Sequence, residues 1–415
     1  MEFEVLAKCN TTRARVSRMK LAHGVTMLPT FMPVATQAAI KGLTAQQVEA
    51  LGISLILNNT YHLNLRPGTE ILKESGGAHK FQGWKSNLLT DSGGFQLVSL
   101  NKFTTITEEG ALFASPFTGE PTMLTPEESI SIQHSIGSDI MMQLDDVVHT
   151  LTTGPRVGEA MWRTIRWLDR CIEFHEKSGR KQQNLFAIVQ GGIDVVLRDQ
   201  CLDEMIQRKD RVAGYAIGGL SGGEEKGHVK QCADRLPDDR PRYVMGIGFA
   251  EDLLVCAALG VDMADCVFPT RTARFGVALT FKGPINLRLS KHASDMQPID
   301  ESCPCPTCAS GTSKAMLHHL VTIETAGAHA VTQHNIVFQA RLMGGARDAI
   351  INGTFPTYLK TFFADYFGDA GYPEWCVNAL RSVNVDLLEN KPEQKMLRGD
   401  GAKREYSDTA RSLAQ

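Results

Sequence analysis

Short apolar runs recur along this chain, and an Asp, Asn, Gln or Gly often follows each run at once. Eight runs fit a buried strand: 30–34, 53–57, 87–89, 140–144, 185–189, 214–217, 243–245 and 261–268. Stretches of helical character lie between most of them, at 44–51, 126–136, 157–175, 196–208 and 250–259. Strands that alternate with helices predict a parallel sheet covered by helices. An open doubly wound sheet uses the same alternation. The count of eight, and polar residues after many strands rather than at one crevice, favour a closed (β/α)8 TIM barrel of the α/β class. The chemistry of that fold gathers at the C-terminal ends of the strands.

Beyond the eighth run the pattern changes. A Cys-rich insert is expected at about residues 280–335, then a helix over 336–346 and further helices to about Leu380. The last stretch is polar, with charge of both signs and little apolar periodicity. The expected organisation is one barrel domain over residues 1–390, including the insert, and a disordered tail over 391–415. At 415 residues, 43% of them hydrophobic and 21% charged, the chain can bury a large core. Its net charge of -3 supplies no global basic field, so a nucleic-acid partner would need local patches. Most of the ten cysteines stand singly in apolar runs, which suits a reducing compartment. Neither a signal-peptide layout nor an apolar run of the roughly 20 residues of a membrane span is present.

Candidate chemistry concentrates after the strands. Val261-Asp-Met-Ala-Asp265-Cys-Val-Phe-Pro-Thr-Arg271-Thr-Ala-Arg274-Phe-Gly276 sets a carboxylate inside an apolar run, with two arginines in the short loop that is expected to follow. A buried carboxylate is costly unless paired or used, and a guanidinium fork matches phosphate oxygens. A salt bridge from Asp265 to its own arginines is the plain alternative. In Asp91-Ser-Gly-Gly-Phe95-Gln96, two glycines allow close approach of a ligand, Phe95 could stack on a flat ring, and a buried Asp91 could move protons. A tight turn with Asp91 as a helix cap competes equally. Met141-Met-Gln-Leu-Asp145-Asp146-Val147 puts Asp145 where its carboxylate could accept from the N–H edge of a guanine-like ring. A salt bridge or helix cap by Asp145 or Asp146 is as good an account. Gln190-Gly-Gly192 and Gly218-Gly219-Leu220-Ser-Gly-Gly-Glu224 offer an amide and bare N–H groups to a carbonyl oxygen or an anion. His62, in Asn59-Thr-Tyr-His-Leu63, reads as a core histidine rather than a catalytic one.

Cys303-Pro-Cys305-Pro-Thr-Cys308 packs three thiols into six residues. Close thiolates point to a structural zinc that takes its fourth ligand from a downstream histidine. Spacing leaves His318, His319, His329 and His334 open. Aspartates at several strand ends, without an open metal cluster, suggest carboxylate chemistry at an anomeric carbon, where one carboxylate attacks and another moves the proton.

From about Val5 to about Leu380 the chain resembles the tRNA-guanine transglycosylases. The strings that carry the resemblance are Asn59-Thr-Tyr-His-Leu63, Asp91-Ser-Gly-Gly-Phe-Gln96, Gln190-Gly-Gly192, Gly218-Gly-Leu220, Tyr243-Val-Met-Gly246 and Asp265-Cys-Val-Phe-Pro-Thr-Arg271, with the cysteine knuckle and Thr332-Gln-His334-Asn. The resemblance implies exchange of guanine at the first anticodon position of certain tRNAs for a 7-deazaguanine. Asp265 would be the nucleophile and Asp91 the proton carrier. Asp145, Gln190, Gly219 and Leu220 would read the base edge, and Phe95 and Met245 would sandwich its plane. Thr270, Arg271 and Arg274 would hold RNA, and Cys303, Cys305, Cys308 and His334 would bind one zinc ion. The wording around Leu144-Asp-Asp-Val-Val148 and Arg271-Thr-Ala-Arg-Phe-Gly276 looks like the eukaryotic branch, in which the catalytic subunit pairs with a related non-catalytic one. Gly222 would leave room for the cyclopentenediol of queuine, where bacterial members, which use 7-aminomethyl-7-deazaguanine, usually carry a larger residue. The same branch implies a cytoplasmic heterodimer with peripheral association at the mitochondrial outer membrane. Asn58 departs from the glycine more common there. A silent RNA-binding partner subunit and a barrel glycosidase are the rival functions. The three aspartates argue against the first, and the knuckle with Arg271 and Arg274 against the second.

Overall fold

All eight apolar runs form strands, and the strands close on themselves. The computed structural model describes residues 1–94, 104–115, 119–150, 152–220, 227–389 and 394–397. Strands Thr30–Ala35, Leu55–Asn58, Asn87–Thr90, Ile140–Met142, Asn184–Val189, Gly214–Ile217, Arg242–Val244 and Met263–Cys266 run parallel in chain order, and the last pairs with the first. Closure is by Met263 opposite Thr30 and Asp265 opposite Met32. Side chains alternate across the wall. Met32, Leu55, Leu57, Phe186 and Ile188 fill the barrel, whereas Ile56, Leu88, Ala187 and Tyr215 pack under the outer helices. A parallel strand buried on both faces therefore reads as a continuous apolar run.

The expected helices form at Ala45–Ala50, Pro126–Ile136, Pro155–Lys177, Val195–Gln207 and Ala250–Ala258. Two begin with capping boxes, Thr44 with Gln47 and Thr125 with Glu128, which satisfy N–H groups that the first turn leaves open. The stretch expected near 336–346 belongs to one helix of 27 residues, Thr325–Ile351. Its buried residues include Gln333, His334, Asn335 and Gln339, and these polar positions hide the apolar period. Helices Pro306–Ala309 and Lys314–Ile323 of the Cys-rich insert pack on it through Leu317, Val321, Val331 and Val337. Further helices follow at Phe355–Phe367 and Glu374–Arg381.

Three features depart from the expected pattern. An antiparallel meander, Glu2–Lys8, Arg15–Leu21 and Gly24–Leu28, precedes the barrel. Its Met19, Leu21 and Leu28 join the residues inside the barrel, so it plugs the N-terminal end. A second meander, Thr105–Ile106, Ala111–Ala114 and Pro121–Leu124, lies between the third strand and its helix. The stretch after the eighth strand is a helix, Phe268–Arg274, and not the loop that was expected. Pro269 starts it with a preset φ, and the Arg271 N–H closes the first turn on the Val267 carbonyl at 2.8 Å. Within the stretch expected to be a tail, residues 394–397 are described, and Met396–Leu397 pairs there with Tyr372–Pro373. Among the described residues no helix is long and apolar enough to cross a membrane.

A buried ion pair ties the plug to the barrel. Arg15 donates to Asp262 from Nε at 2.9 Å and from Nη2 at 2.7 Å, and both side chains are almost wholly buried. Asp262 also accepts the Arg242 N–H at 2.8 Å, which joins the seventh and eighth strands at their feet. Removing Asp262 leaves the buried Arg15 charge with only the largely exposed Asp238 carboxylate, at 3.8 Å, as counter-charge. Asp262→Ala is therefore expected to cost about 3–5 kcal/mol in urea unfolding. The double change Arg15→Met with Asp262→Leu should recover most of that loss. An unchanged midpoint for Asp262→Ala would show that the pair does not hold the plug.

Candidate active site and metal centre

Three carboxylates converge on the C-terminal mouth of the barrel. Asp91 directly follows strand Asn87–Thr90, and Asp145 follows Ile140–Met142 by three residues. Asp265 is the third residue of Met263–Cys266. The charges of Asp265 and Asp145 both push up the Asp91 pKa, so the three act within one electrostatic neighbourhood.

Asp91 is held by the start of the neighbouring helix, Thr60–Leu65. Its Oδ1 accepts the Thr60 N–H at 2.9 Å, its Oδ2 accepts from the Asn59 side-chain amide, and its carbonyl accepts from the Thr60 hydroxyl at 2.5 Å. Asn59 is meanwhile the N-cap of that helix, with its side-chain oxygen on the His62 N–H at 3.0 Å. His62 thus lies one turn into a helix whose cap orients Asp91, in keeping with a non-catalytic role. Burial is the largest influence on Asp91 and lifts its pKa to about 7, against the pull of the Thr60 N–H. A carboxyl group near neutrality can both give and take a proton.

Asp145 and Asp146 are adjacent in sequence but differ in kind. Asp146 takes a bidentate bond from Arg156 at 2.9 and 2.6 Å and another from Arg163 at 2.5 Å. Asp145 has neutral partners, Ser92 Oγ at 3.0 Å and Gln190 Nε2 at 2.7 Å. Burial lifts its pKa to about 6, against those two hydrogen bonds. The salt bridge that competed for this segment belongs to Asp146, and Asp145 is left facing Gln190. The glycines make this corner possible. A Cβ on Gly94 would stand 2.9 Å from the Asp145 carbonyl oxygen, and one on Gly219 would stand 2.7 Å from Gln190 Oε1. Gly219 also has φ +71°, a conformation natural to glycine.

Asp265 accepts from the Tyr243 hydroxyl at 2.5 Å and from the Gly246 N–H at 2.9 Å. Both bonds fall on Oδ1, and none falls on Oδ2 among the described residues. Burial raises its pKa against those two bonds. Its partners are therefore not Arg271 and Arg274. Those two arginines are exposed on helix Phe268–Arg274, without an ion pair to a carboxylate among the described residues. Arg274 donates to the Thr270 carbonyl at 3.3 Å. Burial, and then the Arg271 charge, lower its pKa. Thr270 is 4% exposed, and its hydroxyl donates to the Val267 carbonyl at 3.0 Å.

Met245 is half-buried just beyond strand Arg242–Val244 and packs on the residues filling the barrel. Leu220 is buried against the outer core. Phe95 and Gly222 lie outside the described residues. Asn58 points out of the barrel wall, opposite in sense to Leu57, and its amide reaches Gln82 Oε1 at 3.5 Å. The departure at this position therefore sits behind the pocket wall. Tyr243, Asn59 and Ser92 carry orienting roles that the sequence did not single out.

The cysteine knuckle and one histidine form a second centre. Cys303, Cys305, Cys308 and His334 are all buried, and their ligand atoms lie within 4.8 Å of one another. His334 Nδ1 is 3.3 Å from Cys308 Sγ and 3.6 Å from Cys305 Sγ. Its Nε2 contacts the Leu279 carbonyl at 2.8 Å, which fixes the tautomer that leaves Nδ1 free to bind. The donor set fits one metal ion. His318 is instead bonded to the Leu287 carbonyl and His329 to the Gly42 carbonyl.

A (β/α)8 barrel with three buried or half-buried carboxylates at its mouth suits an enzyme of glycosyl transfer, and its Cys3His cluster could hold one metal ion. The family model for queuine tRNA-ribosyltransferase matches residues 9–368, and the chain belongs to that family. It is 56% identical over 400 residues to the queuine tRNA-ribosyltransferase catalytic subunit of Schizosaccharomyces pombe, covering 94% of this chain and 98% of the relative. It is 48% identical over 373 residues to the Caenorhabditis elegans catalytic subunit, covering 89% and 91%. The queuine tRNA-ribosyltransferase of Dictyoglomus turgidum is 41% identical over 373 residues, covering 89% and 96%.

Two outcomes follow. A carboxyl group whose pKa rises on folding costs stability above its unfolded value, near pH 4, and the cost is complete above its folded value, here about 7. Asp91→Asn should thus melt higher than wild type at pH 8, by on the order of a few kcal/mol in stability, and the gap should shrink below pH 7 and close only below about pH 4. A gap independent of pH in calorimetry would contradict the raised pKa. Removal of metal by a chelator should lower the melting temperature and expose the insert to protease, and unchanged melting would exclude a structural metal.

Proposed function

We propose that this enzyme exchanges guanine at the first anticodon position of tRNAs with GUN anticodons, those for aspartate, asparagine, histidine and tyrosine, for queuine. The observation that carries the proposal is Asp265, a carboxylate fixed on one oxygen by Tyr243 and Gly246 and, among the described residues, without a cationic partner. Its unbonded Oδ2 attacks the ribose anomeric carbon. The bond from that carbon to the base nitrogen breaks, and a covalent aspartyl–tRNA ester forms. The electron pair leaves with the base, which takes the proton of Asp91 and departs as neutral guanine. The incoming base gives its ring N–H proton to Asp91. Its nitrogen then displaces Asp265 from the anomeric carbon, and two displacements retain the configuration. A pKa of about 7 lets Asp91 serve in both halves.

Asp145 accepts from the N–H edge of the base, and Gln190 with the N–H groups of Gly219 and Leu220 receives its carbonyl. Phe95 and Met245 cover its faces. Arg271 and Arg274 bind the anticodon-loop phosphates from their exposed helix, with Thr270 supporting the turn beneath them. Cys303, Cys305, Cys308 and His334 hold zinc, which ties the insert to the long helix Thr325–Ile351. The closer identity to eukaryotic relatives named catalytic subunits supports queuine over 7-aminomethyl-7-deazaguanine. The words 'catalytic subunit' in those names support a related non-catalytic partner. On this reading the heterodimer is cytoplasmic and associates peripherally with the mitochondrial outer membrane.

Incubation with GUN-anticodon tRNA and labelled guanine, queuine or the aminomethyl base, alone and with the partner subunit, tests the proposal. Exchange is expected with guanine and queuine and not with the aminomethyl base. Absence of exchange under every condition would overturn it. Asp265→Asn should lower exchange by about a thousandfold or more and abolish the denaturation-resistant tRNA adduct. An adduct that survives the substitution would move the nucleophile elsewhere.

A further inference from the structure

Arg198 is fully buried in the first turn of helix Val195–Gln207, where the helix dipole opposes a cation. Its Nε donates to the Gly192 carbonyl at 3.1 Å. Its Nη2 donates to the same oxygen at 2.5 Å and to the Gly218 carbonyl at 3.3 Å. Its Nη1 reaches the Val189 carbonyl at 3.5 Å and the Cys232 sulfur at 3.9 Å. None of these acceptors is a carboxylate, and no ion pair to Arg198 forms among the described residues. A guanidinium held only by neutral acceptors is costly to bury, and a methionine of similar length would fill the same space. Packing alone therefore does not account for an arginine here.

What the guanidinium holds is specific. Gly192 closes the Gln190-Gly-Gly192 turn, and Gly218 opens the turn that presents Gly219. One side chain thus fastens both glycine turns from behind. The helix also comes close to the first turn, since a Cβ on Gly191 would stand 2.8 Å from the Arg198 backbone nitrogen. The Gly218 carbonyl and the Gly219 N–H are two ends of one peptide unit. A cation on the carbonyl end draws electron density along the amide and makes the N–H a stronger donor. We propose that Arg198 is a positioning residue that locks the two glycine turns together and polarises the Gly218–Gly219 peptide, so that the Gly219 N–H binds the carbonyl oxygen of a guanine-type base. This rests on the base-exchange reading of the mouth.

The test compares two bases in two variants. Competitive inhibition of labelled-guanine exchange is measured for 7-deazaguanine and for the same ring lacking the carbonyl oxygen, in wild type, Arg198→Lys and Arg198→Met. Loss of a polarised donor should weaken 7-deazaguanine by about tenfold in Arg198→Met, with kcat within about twofold, while the carbonyl-free base changes little. Arg198→Lys, which keeps the charge but not the fork, should fall between. Should Arg198→Met not fold, the same comparison in Arg198→Lys decides. Equal weakening of both bases, or no change in either, would overturn the assignment while leaving the base-exchange reading intact. Wild-type protein that exchanges no base would overturn that reading and this assignment together.

Discussion

Withdrawal of carboxylates from water is the constraint on which the site depends. A closed parallel barrel brings every strand end to one mouth, so Asp91, Asp145 and Asp265 meet there without being near in sequence. Asp91 and Asp145 are buried and Asp265 is half-buried, and for each the largest influence is burial, which raises its pKa. The fold supplies neutral donors to them: an amide and a helix N–H for Asp91, an amide and a hydroxyl for Asp145, a phenol and a backbone N–H for Asp265. Neutral donors orient a carboxylate without discharging it. An arginine would have fixed each one as a spectator, as Arg156 and Arg163 do for Asp146.

This division explains how legible the protein is in its sequence. The barrel strands are readable because burial on both faces leaves uninterrupted apolar runs. The N-terminal meander is not, because Glu2–Lys8 alternates half-buried with exposed residues, and its exposed positions carry Glu2, Glu4 and Lys8 but also Leu6. Helix Phe268–Arg274 is too short to show a period and opens with a proline, which also suits a loop. The carboxylates stand out as types, but which of Asp145 and Asp146 serves the mouth depends on helix residues ten and more positions away. Tyr243 stands inside an apolar strand like any core tyrosine. Arg198 looks like a surface residue of an amphipathic helix until its carbonyl partners are seen.

The two centres also differ in what they ask of the chain. The mouth needs close backbone approach, which glycines at 94, 191 and 219 permit. The knuckle needs only four donors brought together, and it obtains three of them within six residues. That is why the knuckle is the clearest signal in the sequence, although it is remote from the reacting atoms.

The clamp between Arg15 and Asp262 joins residues 247 positions apart, and Asp262 lies three residues before Asp265. The plug and the first strand leave the ribosome early, and the eighth strand emerges much later. The seat for Asp262 therefore waits while most of the wall is synthesised. Until that strand docks, Asp91 and Asp145 face a gap with no partner carboxylate. Final closure of the barrel and the arrival of the third carboxylate at the mouth are thus a single event.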